Sequence, residues 1–202
     1  MRRRSAILLL ASTALIAGCS GDPSGTKPTS QLHFLRLAAT APALANATDS
    51  FWAKQTANSE IRIYFHAAVA GATDSMQLLA LQVPKQALWK RPDGTLYGAD
   101  DSVLIHVTVS NPANMVVAFE PAGLQFSSSA PAILTFEFGE ADNDVNNDGV
   151  VDATDDLLKA QLHLWRQETS SAPWTQLPTI VNLSSEDAIA EILGFTNYAL
   201  AY

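Results

Sequence analysis

The chain has 202 residues, with 12 basic and 20 acidic side chains (net charge −8), four histidines and one cysteine. That balance argues against nucleic acid, whose phosphates need a basic patch, and a lone cysteine leaves no internal disulfide. With 48 % hydrophobic residues the chain can bury one sizeable core, so its stability has to come from packing.

Arg2-Arg3-Arg4 precede a short apolar stretch from Ala6 to Ala17. The stretch is too short to span a bilayer and has the flanks of an export signal, so residues 1–18 are expected to be a signal peptide. Leu15-Ile-Ala-Gly-Cys19 resembles the lipobox of bacterial lipoproteins. The resemblance implies cleavage before Cys19, acylation of its thiol and amine, and a place in the bacterial cell envelope with the membrane as a partner. Several acyl chains anchor firmly, at about 0.8 kcal/mol per buried methylene. Ser20, where an Asp would suggest inner-membrane retention, favours the outer membrane. Loss of residues 1–18 leaves nine basic against twenty acidic groups, a net −11, which disfavours further docking onto anionic lipid.

Ser20 to about Ser30 is rich in Gly, Pro, Ser and Thr and reads as a tether. Gln31 to Asp49 either carries a short helix or continues that tether, so residues 19–49 are taken together as a lipidated linker and the domain as 50–202. From Phe51 onward, short strands alternate with turn signals, the mark of an all-β, antiparallel sandwich with at most short helices. Glu60–Phe65, Met76–Val83, Ser102–Val109, Met115–Phe119, Ala132–Phe138 and Leu162–Gln167 are expected strands, and Arg91-Pro-Asp-Gly94 a turn. Glu186–Leu193 has helical spacing (Ile189, Ile192, Leu193), with a strand as the alternative; Thr196–Tyr202 closes the domain as a strand.

Between two of these strands, residues 144–155 have the pattern of a calcium loop. Oxygen side chains stand at loop positions one, three and five (Asp144, Asn146, Asp148), glycine at six (Gly149), Asp152 at nine and Asp155 at twelve. Calcium takes six to eight oxygen ligands, and position seven offers only its backbone carbonyl, so Val150 is free to be apolar. Closure by Asp, where the general pattern has Glu, resembles the loops of bacterial dockerin repeats. A dockerin needs two repeats and only one is present, which argues against a cohesin partner. Turn-forming Asp, Asn and Gly could imitate part of the pattern. The eight acids and absent Lys and Arg from Glu137 to Asp156 argue instead for a neutralising cation. After the loop, one short helical turn followed by a strand from about Ala160 is expected, not an EF-hand helix pair.

Phe119-Glu-Pro-Ala-Gly-Leu-Gln-Phe126 with Pro131-Ala-Ile-Leu-Thr-Phe136 resembles the core motif of the ZU-five domain, a β-sandwich of ankyrins, netrin receptors, zonula occludens proteins and many exported bacterial proteins. Leu81-Gln-Val-Pro-Lys-Gln-Ala-Leu88 is similar to that family's strand-turn, with Gln86 where a glycine is often found. Asp101–Val107, Leu162–Trp165, Trp174–Leu177 and Phe195–Tyr202 extend the likeness over most of Met76 to Tyr202. The resemblance implies a sandwich used for adhesion or scaffolding, with the calcium loop inserted between two strands, and it carries over no catalytic residue.

His66, His106 and His163 have no spacing for a zinc cluster, and nucleophile-elbow, H-E-x-x-H and phosphate-loop motifs are lacking. A glycosidase-type carboxylate pair could be drawn from Glu120, Glu137 or Glu168, but sequence does not set their separation. A non-catalytic protein is therefore expected, with a protein or polysaccharide partner. Trp52, Trp89, Trp165 and Trp174 fill the core or form a sugar-stacking platform; Trp165, alternating outward from Leu162 and Leu164, is the one expected to be exposed.

Overall fold

The computed structural model describes residues 25–66 and 76–202; the expected signal peptide and the expected acylation site, Cys19, lie outside the described residues. Five strands precede the long central one: β1 (Thr26–Lys27), β2 (Thr48–Lys54), β3 (Ser59–Tyr64), β4 (Gln77–Val83) and β5 (Leu88–Lys90). Then come β6 (Ser102–Asn111), β7 (Val116–Glu120), β8 (Gln125–Phe126) and β9 (Ala132–Glu137). A helix, α1 (Ala153–Lys159), follows the acidic loop, and β10 (His163–Gln167), β11 (Trp174–Gln176), β12 (Ile180–Asn182), β13 (Asp187–Ile192) and β14 (Asn197–Ala201) complete the chain.

The strands form an all-β sandwich. A seven-stranded sheet in the order β1-β11-β10-β14-β7-β6-β2 faces a five-stranded sheet ordered β12-β13-β9-β4-β3, and β5 and β8 make a separate ribbon. All named strand pairs are antiparallel. Period-two patterning puts Ile105, Val107 and Val109 of β6 opposite Leu79, Leu81, Leu134 and Phe136 of the other sheet, in one core cluster. Residues 187–192 form a strand despite their helical spacing: Ala188, Ala190 and Ile192 are the buried set, and Ile189 faces the other way. The helix after the loop spans seven residues, longer than the single turn expected, and the strand after it starts at His163.

Two expectations fail together. Residues from Gly25 to Asp49 are not a tether: β1 pairs with β11, Leu32 and Leu35 are buried, and Phe34 and Leu37 bridge to Ala201 and Ala141. Linker-like composition in 20–30 hid the apolar residues just behind it, whose burial offsets the entropy of ordering this strap. Leu32 and Phe34 of the strap pack on the face of the seven-stranded sheet that carries Trp165, whereas Leu35 joins the main core. Trp165 does point away from Leu164, as its alternation requires, yet it is only 2 % exposed. It packs with Leu32, Trp174, Ala199 and Ala201 in a second small core, and its Nε1 donates to the Ala201 carbonyl at 3.1 Å. Trp52 and Trp89 are the exposed indoles instead.

Candidate metal centre

The acidic loop leaves the core at Phe138 and returns through α1. Its first half is a chain of side-chain-to-backbone turns. Asp144 accepts from the N–H groups of Asp148 (3.0 Å) and Gly149 (2.8 Å), Asn146 Oδ1 from Asp148 N–H (3.0 Å), and Asp148 Oδ1 from Val150 N–H (2.9 Å). These are the local bonds that short polar side chains form in place of regular structure. The Asn146 amide also donates to Asp148 Oδ2. Gly149 has φ +88° and Asn147 φ +59°, a reversal that glycine and asparagine tolerate best.

Asp155 ties the loop's two ends together. Its Oδ1 accepts from Val145 N–H (2.7 Å) and Asn146 N–H (3.2 Å), and its Oδ2 from Asp152 N–H (2.9 Å). With Asp152 it also forms the capping box that starts α1. The side chain is buried, and these backbone donors, Asp152 first, hold its carboxyl below the usual carboxylate range against the opposing effect of desolvation. Asp152 accepts from Thr154 N–H and Val150 is exposed.

The loop also has a cation of its own, from far upstream. Arg36 Nη1 donates to Asn147 Oδ1, and Nη2 donates to the Asp144 carbonyl and reaches Asp142 Oδ2 at 3.4 Å. Lys159 Nζ donates to Asn143 Oδ1. Absence of Lys and Arg within the acidic run therefore does not leave the acids unopposed, because the fold brings Arg36 to them. Tyr202 adds a hydroxyl donated to the Val145 carbonyl, and its ring stacks on His33.

The donor set suits a hard cation, being all carboxylate, amide and carbonyl oxygen. Each such oxygen has two lone pairs, so Asp144, Asn146, Asp148 and Asp152 retain free ones beside their backbone bonds, as does Asp155 Oδ2. Among the described residues no group of three or more His, Cys, Asp or Glu side chains is gathered around a common point; the loop's acids face their own backbone. No family model, curated protein or solved structure matches the chain, so the geometry carries the functional reading.

Proposed function

We propose that the chain is a non-catalytic, lipid-anchored protein of the bacterial cell envelope, serving interaction or scaffolding through a sandwich that one calcium ion clips. The carrying observation is the loop's pre-formed first half, with Asp144, Asn146 and Asp148 fixed by backbone bonds around Gly149 and with Asp155 buried at the closing position. Calcium would draw side-chain oxygens of Asp144, Asn146, Asp148 and Asp155, the Val150 carbonyl, and Asp152 directly or through water. Its charge would sit among acids that Arg36 neutralises only in part. Because the loop joins β9 to β10 of opposite sheets, an ion there is a structural clip. The likeness to ZU-five sandwiches supports interaction in place of catalysis, and the lipobox-like Leu15–Cys19 supports the anchor at the outer membrane.

Calorimetric titration with calcium, paired with thermal unfolding in calcium and in chelator, tests the metal. A ligand bound only to the folded state at a hundred times its Kd adds about 2.7 kcal/mol, so a clear rise in Tm is expected, and Asp148→Ala should abolish it. No heat and an unmoved Tm would end the calcium reading. Palmitate labelling that persists in Cys19→Ser would overturn the anchor.

A further inference from the structure

Beside the β5–β8 ribbon lies a cleft of ≈ 570 Å³ walled by Trp89, Gln125, Ser127, Ser128, Arg166 and Leu193. Its size falls in the range of small-ligand sites, which combine apolar walls with a few polar groups. Trp89 is 45 % exposed in an otherwise well-packed domain. Lys90 Nζ stands 4.0 Å from its ring centroid, holding the indole from one side by a cation–π contact. Of the polar groups around it, Ser127 Oγ is paired with Ser129 Oγ, while others are free to bind. Among the described residues neither the Gln125 amide nor the Ser128 hydroxyl has a hydrogen-bond partner. Arg166 pairs with Glu168 through Nη2, while its Nε is buried and without a partner.

We propose that this cleft is a saccharide subsite, in which a pyranose ring of a neutral polysaccharide stacks its C–H face on Trp89. Gln125, Ser128 and Arg166 supply hydrogen bonds to the ring hydroxyls. An aromatic plane meets the apolar face of a sugar, and an amide, a hydroxyl and a guanidinium between them both donate and accept, as vicinal hydroxyls require. The chain's net charge of −8 argues against a polyanion. A second cavity of ≈ 640 Å³ shares Ser128, Arg166 and Leu193 with the first, so the groove continues past one ring and suits a polymer. The site does not depend on the metal reading.

Affinity electrophoresis of the full chain through gels containing xylan, hydroxyethylcellulose or galactomannan, with polygalacturonate as the charged arm, tests this. Retardation by at least one neutral polymer is expected, with affinity at least tenfold lower for Trp89→Ala, lowered for Gln125→Ala, and largely kept by Trp89→Phe. Trp52→Ala, at a more exposed indole on β2 outside the cleft, should leave it unchanged. Failure of every neutral polymer, retardation by polygalacturonate alone, or binding that survives Trp89→Ala would each overturn the proposal.

Discussion

Arg36 Nη1 stands 2.6 Å from Asn147 Oδ1, so a guanidinium from the N-terminal strap grips a left-handed residue of the acidic loop. The backbone repeats the link, with Asp142 N–H donating to the Arg36 carbonyl at 2.8 Å. Strap and loop are thereby one unit. Hydrogen bonds to charged groups contribute about 1.5–3 kcal/mol, and the Arg36 side chain is a third exposed and screened by salt. Arg36→Ala should therefore lower stability by about 1 kcal/mol, with proteolysis appearing first within residues 25–40. Urea denaturation and limited digestion read both effects; a variant as stable and as resistant as the parent would show that the grip is incidental.

Asp155 and Asp148 should separate in the absence of metal. Removing the Asp155 carboxylate strands three backbone N–H donors around a buried position and breaks the cap of α1. Asp148 accepts one backbone bond at the surface. In chelator, Asp155→Ala should cost about 2–3 kcal/mol and Asp148→Ala less than about 1 kcal/mol. In calcium, both should lose the ligand-dependent rise in Tm. Equal losses in chelator would mean that Asp155 does not organise the loop.

Burial of a carboxyl beside a like charge sets a pH dependence elsewhere. Asp187 is the cross-strand partner of Glu137. Desolvation foremost, then the Asp187 charge, hold the Glu137 carboxyl above its usual range, opposed by the Gln77 backbone N–H and by Arg62. The folded state thus binds this proton more tightly than the unfolded chain. Stability falls as pH rises from the unfolded value of about 4.3 through the raised folded one, and the loss remains at neutrality. Glu137→Gln should be more stable than the parent at pH 7 by up to about 1 kcal/mol and little different at pH 4. Urea midpoints at the two pH values decide it; a variant destabilised at pH 7 would refute the sign.

Period-two strands were readable because one face of each meets a continuous core: Ile105, Val107 and Val109 announce β6 without any partner being known. In the acidic loop a turn was legible because Asp144, Asn146 and Asp148 each bond to a backbone group two to five residues away. What stayed hidden depends on distant contacts. Arg36 meets Asn147 across 111 residues, and nothing local distinguishes it from any solvated arginine. Trp165 was placed on the correct face, but its exposure was decided by Leu32 and Trp174, which cover that face. Strands as short as β1 and β8 have too few residues to show a period.

Gln86 sits in the turn between β4 and β5 in a backbone conformation that favours glycine. Its φ is +63°, in the left-handed region, while Lys85 before it is not. Ala87 N–H donates to the Pro84 carbonyl, closing a four-residue turn with Gln86 at the third position. A type II turn places positive φ at that position and favours glycine there. A side chain in this region costs roughly 1–2 kcal/mol, whereas glycine gives back about 0.5–1 kcal/mol through the freer unfolded chain. Gln86 is exposed, so little packing is lost with its side chain, and its own N–H still donates to the Gln55 carbonyl after the change. Gln86→Gly should therefore stabilise by about 0.5–1 kcal/mol, and Gln86→Val, β-branched in the same conformation, should destabilise. Lys85→Gly, one residue earlier with no positive φ to relieve, should also destabilise. Chemical denaturation of the three variants orders them, and a Gln86→Gly chain no more stable than the parent would show that the turn holds no strain at this residue.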